Sequence, residues 1–204
     1  MLNIIKGAHV PDAALLCEAY TIGRQVRGLT AIHANVGADK LLSLFTAFIR
    51  AHRKELLFFI LEIPCNQDEE QEIGNTKTKG THKNIYYIDG LSEEEAYAIL
   101  REKGELLVHD GISAFGFGGH DSQDELTKSR YNCCTAFTQD IPAFAKLLEG
   151  QGIFRTEHLV TAWDTFSQEQ PGCCMTYSVD GELIYDLVSY FKDWGIYLAE
   201  QRED

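Results

Sequence analysis

The chain has 204 residues, 45% of them apolar and 24% charged, with a formal net charge of −13. That balance is globular rather than disordered. The acidity argues against nucleic acid and anionic membranes as partners, because both carry the same sign, and it suits a basic protein partner. The longest apolar run, Leu56 to Leu61, ends at Glu62, far short of the ~20 residues a membrane span needs. No signal-peptide pattern opens the sequence, so a cytoplasmic protein is expected.

In chain order, Pro11 to Val26 carries a helical stripe (Leu15, Ala19, Ile22, Val26) with Gly28 as its stop. Leu29 to Val36 reads as a strand. Asp39 to Arg53 reads as a helix that buries Leu41, Leu44, Phe45, Phe48 and Ile49. Leu56 to Ile63 is apolar on both faces and belongs at the centre of a sheet. Residues 65–83 form an acidic then basic loop around Gly74-Asn75, expected to be solvated and mobile. Asn84 to Ile88 is a strand. Ser92 with Glu95 makes a capping box for a helix ending at Gly104. Glu105 to His109 and Ile112 to Gly118 are extended around Asp110-Gly111, a spacing that permits a hairpin. Ser122 to Lys128 reads as loop or a short helical turn.

A repeat follows. Cys133-Cys134-Thr135-Ala136-Phe137-Thr138-Gln139-Asp140 is echoed forty positions later by Cys173-Cys174-Met175-Thr176-Tyr177-Ser178-Val179-Asp180. Asp140 and Asp180 sit where helix N-caps belong. Phe144, Leu147 and Leu148 match Ile184, Leu187 and Val188 in the helices that follow. Arg155 to Trp163 and Gly195 to Ala199 supply closing strands.

The resulting order is that of the ferredoxin-like βαββαβ unit, read twice. The fold class is therefore α+β built of repeated β-α units. The expected division is an N-terminal half over 1–120, with the leading helix and the 65–83 loop, and a C-terminal half over 121–204. The alternative is one compact domain whose single mixed sheet carries helices packed on it.

The six cysteines lack C-x-x-C spacing, and adjacent cysteines on a strand point to opposite faces. They read as buried free thiols, with no metal and no cofactor implied. The segment richest in chemical potential is Phe115, Gly116, Phe117, Gly118, Gly119, His120 and Asp121. Its glycines allow close approach of a ligand, and His120 with Asp121 could serve acid-base chemistry. His109-Asp110 is a second such pair, separated from the first by a strand that spans roughly 30 Å if extended. Trp163, Asp164 and Phe166 form an aromatic and polar connection suited to a protein contact. No nucleophile elbow or phosphate loop is present.

The function expected from these features is a soluble bacterial interaction protein without catalysis. It would be an inhibitor or immunity-type partner that binds through its acidic surface, and a homodimer is compatible with that role. The alternatives are a small-ligand-binding regulatory module at the glycine lip, or a hydrolase using His120 and Asp121.

Overall fold

The computed structural model describes residues 2–74 and 81–203; Asn75, Lys77 and Lys79 of the 65–83 segment lie outside the described residues. The expected helix over 11–26 is replaced by a 3-10 turn at Ala13–Leu15 that follows the short strand β1 (Ala8–His9). Its second half is the strand β2 (Ala19–Val26), antiparallel to β3 (Leu29–Asn35). Tyr20, Thr21, Ile22 and Val26 favour a pleated strand over a helix. Arg27 and Gly28 both adopt positive φ, 51° and 89°. They form the two-residue turn whose twist fits a hairpin. Gly28 is a hairpin residue, not a helix stop.

Helix α1 (Ala38–Ala51) buries the expected stripe completely, about 1.5–3 kcal/mol for each large side chain removed from water. Strand β4 (Leu57–Pro64) is followed by a helix, α2 (Gln67–Gly74), where loop was expected. Its acidic residues strap it to β5 (His82–Leu91): Glu70 accepts from the His82 backbone and pairs with its ring, and Glu69 accepts from Asn84 at 2.8 Å. Helix α3 (Glu93–His109) starts at the Ser92–Glu95 capping box but runs past Gly104. A Cβ at Gly104 would lie 2.7 Å from Leu42 Cδ2, so this glycine allows α1 and α3 to approach rather than ending the helix. No hairpin forms at Asp110-Gly111; α3 gives way directly to β6 (Ala114–Gly119). The segment before Lys128 is the strand β7 (Glu125–Lys128), which joins β6 to β8 (Cys133–Thr138).

The strand and capped helix of the first copy of the repeat fold as expected: Asp140 caps α4 (Ile141–Glu149) by accepting from the Ala143 amide. The closing strand expected over Arg155 to Trp163 does not form; β9 covers only Phe154–Arg155, and Ala162–Thr165 is a 3-10 turn. The second copy does not fold as expected. Its cysteines form β10 (Cys173–Cys174), which pairs with β1 away from the main sheet. Asp180 is no cap: with Gly181 it turns through positive φ (52° and 85°) between the bridged Val179 and Glu182. An Asp-Gly turn therefore wins over the capping role. Helical structure begins later, at Ile184, and includes α5 (Leu187–Tyr190). Even so, Ile184 and Leu187 are fully buried and Val188 packs against the same core, as their spacing implies, and Phe191 is buried with them. After Gly195 the chain closes with β11 (Tyr197–Glu203).

Nine strands form one sheet in the order β11-β5-β4-β6-β7-β8-β3-β2-β9, antiparallel except for the β2–β9 pair. The fold is thus α+β with a single large mixed sheet. Because β3 lies between β8 and β2, strands from before and after residue 120 interleave, and ferredoxin-like halves do not stand as separate sheets. The helices pack on one face: Phe45 meets Phe115 at 4.5 Å between ring centroids, Phe48 meets Phe144 at 6.0 Å, and Phe59 meets Phe191 at 5.7 Å. Alternate residues point the other way. The core that holds the helices contains none of Phe58, Ile60, Tyr87 and Phe137. No helix among the described residues is long and apolar enough to cross a membrane.

Candidate functional site

The glycine-rich strand β6 divides its residues between the faces. Phe115 and Phe117 are fully buried under the helices. Gly116 and Gly118 lie on the opposite face, where a Cβ would meet Thr127 Cγ2 at 2.5 Å and the Phe58 ring at 2.1 Å. The space beside these glycines is therefore filled by the chain itself. The turn beyond is likewise engaged. Gly119 N donates to Asp124 O and His120 N to Leu56 O, while the Asp121 and Ser122 amides both donate to Glu55 Oε2. The Glu55 carboxylate thus occupies the anion seat that this turn offers.

His120 does not pair with Asp121. Its Nε2 lies 3.6 Å from Asp89 Oδ1, both groups are nearly half exposed, and its ring sits edge-on to Phe58 at 5.3 Å. His109 lies on α3, at the opposite end of β6. No group of three or more His, Cys, Asp or Glu side chains among the described residues could hold a metal ion.

The open face of the sheet is ordered by strand register. One row runs Tyr197, Tyr87, Ile60, Gly116. The next runs Phe58, Gly118, Glu125, Phe137. Phe58 and Tyr87 lie 5.8 Å apart, and Tyr87 and Tyr197 6.4 Å. The Glu125 carboxylate stands in this aromatic field without a hydrogen bond or ion pair among the described residues. Burial pushes its carboxyl above the usual range, Glu62 adds to the shift, and Arg202 opposes it. Glu62 is better matched, with Lys83 Nζ at 2.6 Å and Arg202 at 3.4 Å.

At the lower end of the same face, a recess of about 130 Å³ is lined by Glu62, Lys83, Ser113, Ser129, Arg130 and Trp163, among others. The Ser113 hydroxyl is buried and has no hydrogen-bond partner among the described residues. A second, larger recess of about 650 Å³ shares Pro64, Ile112 and Arg130 with the first and reaches Cys65 and Cys174. Neither Ser113 nor Glu125 announces itself in sequence. An unmet hydroxyl or an unpaired carboxylate is a property of its neighbours, which come from distant strands.

Trp163 is 54% exposed and packs edge-on against Tyr131 at 4.9 Å and Phe166 at 5.6 Å. Asp164 caps the turn at Thr161, accepting from its amide and its hydroxyl at 2.8 Å. Phe166 lies over Gly172, where a Cβ would meet its ring at 2.1 Å. The three residues thus share one aromatic corner beside the recess, with Trp163 and Asp164 exposed and Phe166 half-buried. The cysteines are free thiols. Burial pushes Cys133 up to about 11 and raises Cys134 and Cys174 as well, so these sulfurs remain protonated and weakly nucleophilic near neutral pH.

No protein-family model, no curated protein and no solved structure matches this chain.

Proposed function

We propose that this chain is a non-enzymatic interaction protein that seats a cationic side chain of a basic protein partner on the open face of its sheet. The observation that carries this reading is Glu125, a half-buried carboxylate with no partner among the described residues, flanked in register by Gly118 and Phe137 and close to the Phe58 ring. A carboxylate held partly out of water gains from a cation, and the neighbouring aromatic faces add cation–π attraction. Lysine or arginine supplies both, and arginine can bond the carboxylate at two points. The net charge of −13 would steer such a partner toward the surface from a distance.

Native mass spectrometry of the protein taken gently from its source cells, followed by binding measurements on the partner so identified, tests the reading. The expected result is a stoichiometric complex with a basic protein, weakened ~10- to 100-fold by Glu125→Gln and further by Glu125→Lys. His120→Ala should leave the affinity unchanged. A partner whose affinity ignores Glu125 and Phe58 would exclude this face, and a turnover lost with His120→Ala would favour the hydrolase alternative.

A further inference from the structure

We infer that the outer edge of β11 receives an added strand from the basic partner, an inference that rests on the basic-partner reading but not on Glu125. β11 closes one end of the nine-stranded sheet and, among the described residues, pairs only on its inner side, with β5. All seven of its residues are exposed, and its outer row of main-chain N–H and C=O groups faces solvent. Such a row is a template for another strand, and main-chain hydrogen bonds give the addition its affinity. Tyr197 and Leu198, 47% and 52% exposed, offer apolar surface at its start. The other end of the sheet differs. There β9 pairs with Ala19 and Tyr20 of β2, and the rest of that edge carries exposed Arg24 and runs to exposed Arg27.

Charge identifies the occupant. On the helix side of the β11 edge, Gln201 and Glu203 stand in register with Asn84 and His82, where α2 brings Glu69 and Glu70. Glu69 accepts only from the Asn66 amide and the Asn84 side chain, both neutral, so its charge is undiminished. On the open side Glu200 stands in register with Ile85 and Glu62. Arg202, the one cation of the strand, lies 3.4 Å from Glu62 and 3.9 Å from Glu200, so it offsets acid already beside it. Acidic side chains therefore flank the edge on both faces. Charges on an edge strand ordinarily discourage pairing, but charges of one sign also discriminate. They attract a strand that carries lysine or arginine at alternate positions. The arginines of the β2 edge would turn the same strand away. A second copy could present that β2 edge to β11, but the net charge of −13 on each copy opposes their approach.

The test follows backbone NMR shifts and hydrogen exchange of the protein with three short capped peptides. One alternates lysine with valine, one alternates glutamate with valine, and one is the lysine peptide with adjacent prolines at its centre, which cannot donate along either edge. The lysine peptide should shift the amides from Leu198 to Arg202 and slow exchange of alternate ones ~10-fold, and both effects should weaken with salt. The glutamate and proline peptides should do neither. Glu200→Gln combined with Glu203→Gln, two exposed changes that leave the core untouched, should weaken the lysine peptide ~2- to 10-fold. Glu125→Gln should not alter its binding, so the edge and the seat on the open face can fail separately. Shifts confined to the surroundings of Glu125, equal protection by the glutamate peptide, or undiminished binding of the proline peptide would overturn the inference. Protection of β11 that rises with protein concentration in the absence of peptide would assign the edge to a second copy and overturn it as well.

Discussion

The Lys128 ammonium lies 2.7 Å from the carbonyl oxygen of Asp110, just past the last turn of α3, with Leu107 O at 3.5 Å. Lys128 is wholly buried, so a strand lysine serves as the C-terminal cap of a helix, where the dipole favours a cation. The Asp110 carboxylate is buried too, and it accepts from the amides of Ile112, Ser113 and Tyr177. Burial nevertheless dominates at Lys128 and brings it down from 10.5 to about 8, with Asp110 opposing. Between those two values the unfolded chain holds the proton more often than the folded one. Stability contributed by this residue therefore rises with pH from about 8 to 10.5, and its cost is fully present below 8. Compared with Lys128→Met, the native chain should gain about 3 kcal/mol across that window. Urea unfolding of both proteins at several pH values measures the difference. Parallel stability curves would show that the lysine does not change protonation on folding.

His52 behaves with the opposite sign. Its ring stacks near Phe48, Nδ1 meets Phe48 O at 2.9 Å and Nε2 meets Asp124 Oδ2 at 3.2 Å. Burial works against the imidazolium, but the bonds to Asp124 and Phe48 and the charge of Glu55 outweigh it, so the ring holds its proton above the ordinary range. A raised folded value means stability present below about 6.5 and lost as pH climbs through the folded value. Asp124→Asn should cost about 1.5–3 kcal/mol at pH 5, the range for a hydrogen bond to a charged group, and much less at pH 9. An equal cost at both pH values would mean that the pair contributes as a neutral hydrogen bond.

Legibility followed the range of the interactions. Helix α1, the start of α3 and the stripe through Ile184, Leu187 and Val188 could be read because their signal lies in the spacing of neighbouring residues. The stretch from Ala19 to Val26 could not, because its apolar residues fit a helical stripe until β3 supplies a strand to pair with. The cysteine repeat misled for the same reason: Cys133 and Cys134 pair with β3, whereas Cys173 and Cys174 pair with β1, and nothing local distinguishes the two. At the glycine-rich strand the sequence shows that something must approach closely, but only the fold identifies it as Phe58 and Thr127. Glu125 and Ser113 stayed invisible because charge and hydrogen-bond imbalance are sums over the whole neighbourhood.

Ser113→Ala should stabilise the protein by about 1 kcal/mol or more, because it removes a desolvated hydroxyl that gains no bond among the described residues. The backbone of Ser113 keeps its own bond to Asp110 Oδ1 at 2.9 Å, so the turn is preserved. Thermal and urea unfolding of the variant measure the change. A loss of stability would show that the hydroxyl already has a partner, such as ordered water.

Two glycines, one inside α3 and one just beyond it, should respond in opposite ways to alanine. At Gly111 three backbones converge: Gly7 N donates to His109 O, Gly111 N to Met175 O, and Met175 N to Gly7 O. A Cβ at Gly111 would fall 1.7 Å from Gly7 O and 2.9 Å from Met175 O. These are main-chain atoms tied into the β1–β10 pair, so neither can rotate aside. Gly111→Ala should cost at least the ~1–3 kcal/mol typical of overpacking and should loosen β1 and β10 in hydrogen exchange. At Gly104 the obstacle is Leu42 Cδ2, the tip of a side chain that is 37% exposed and able to turn away. Alanine there removes the entropic penalty of a mid-helix glycine, about 1 kcal/mol. Gly104→Ala should therefore raise stability by up to that amount. If both variants lost stability equally, the α1–α3 contact would be as rigid as the three-backbone junction, and the distinction between side-chain and main-chain obstacles would fail here.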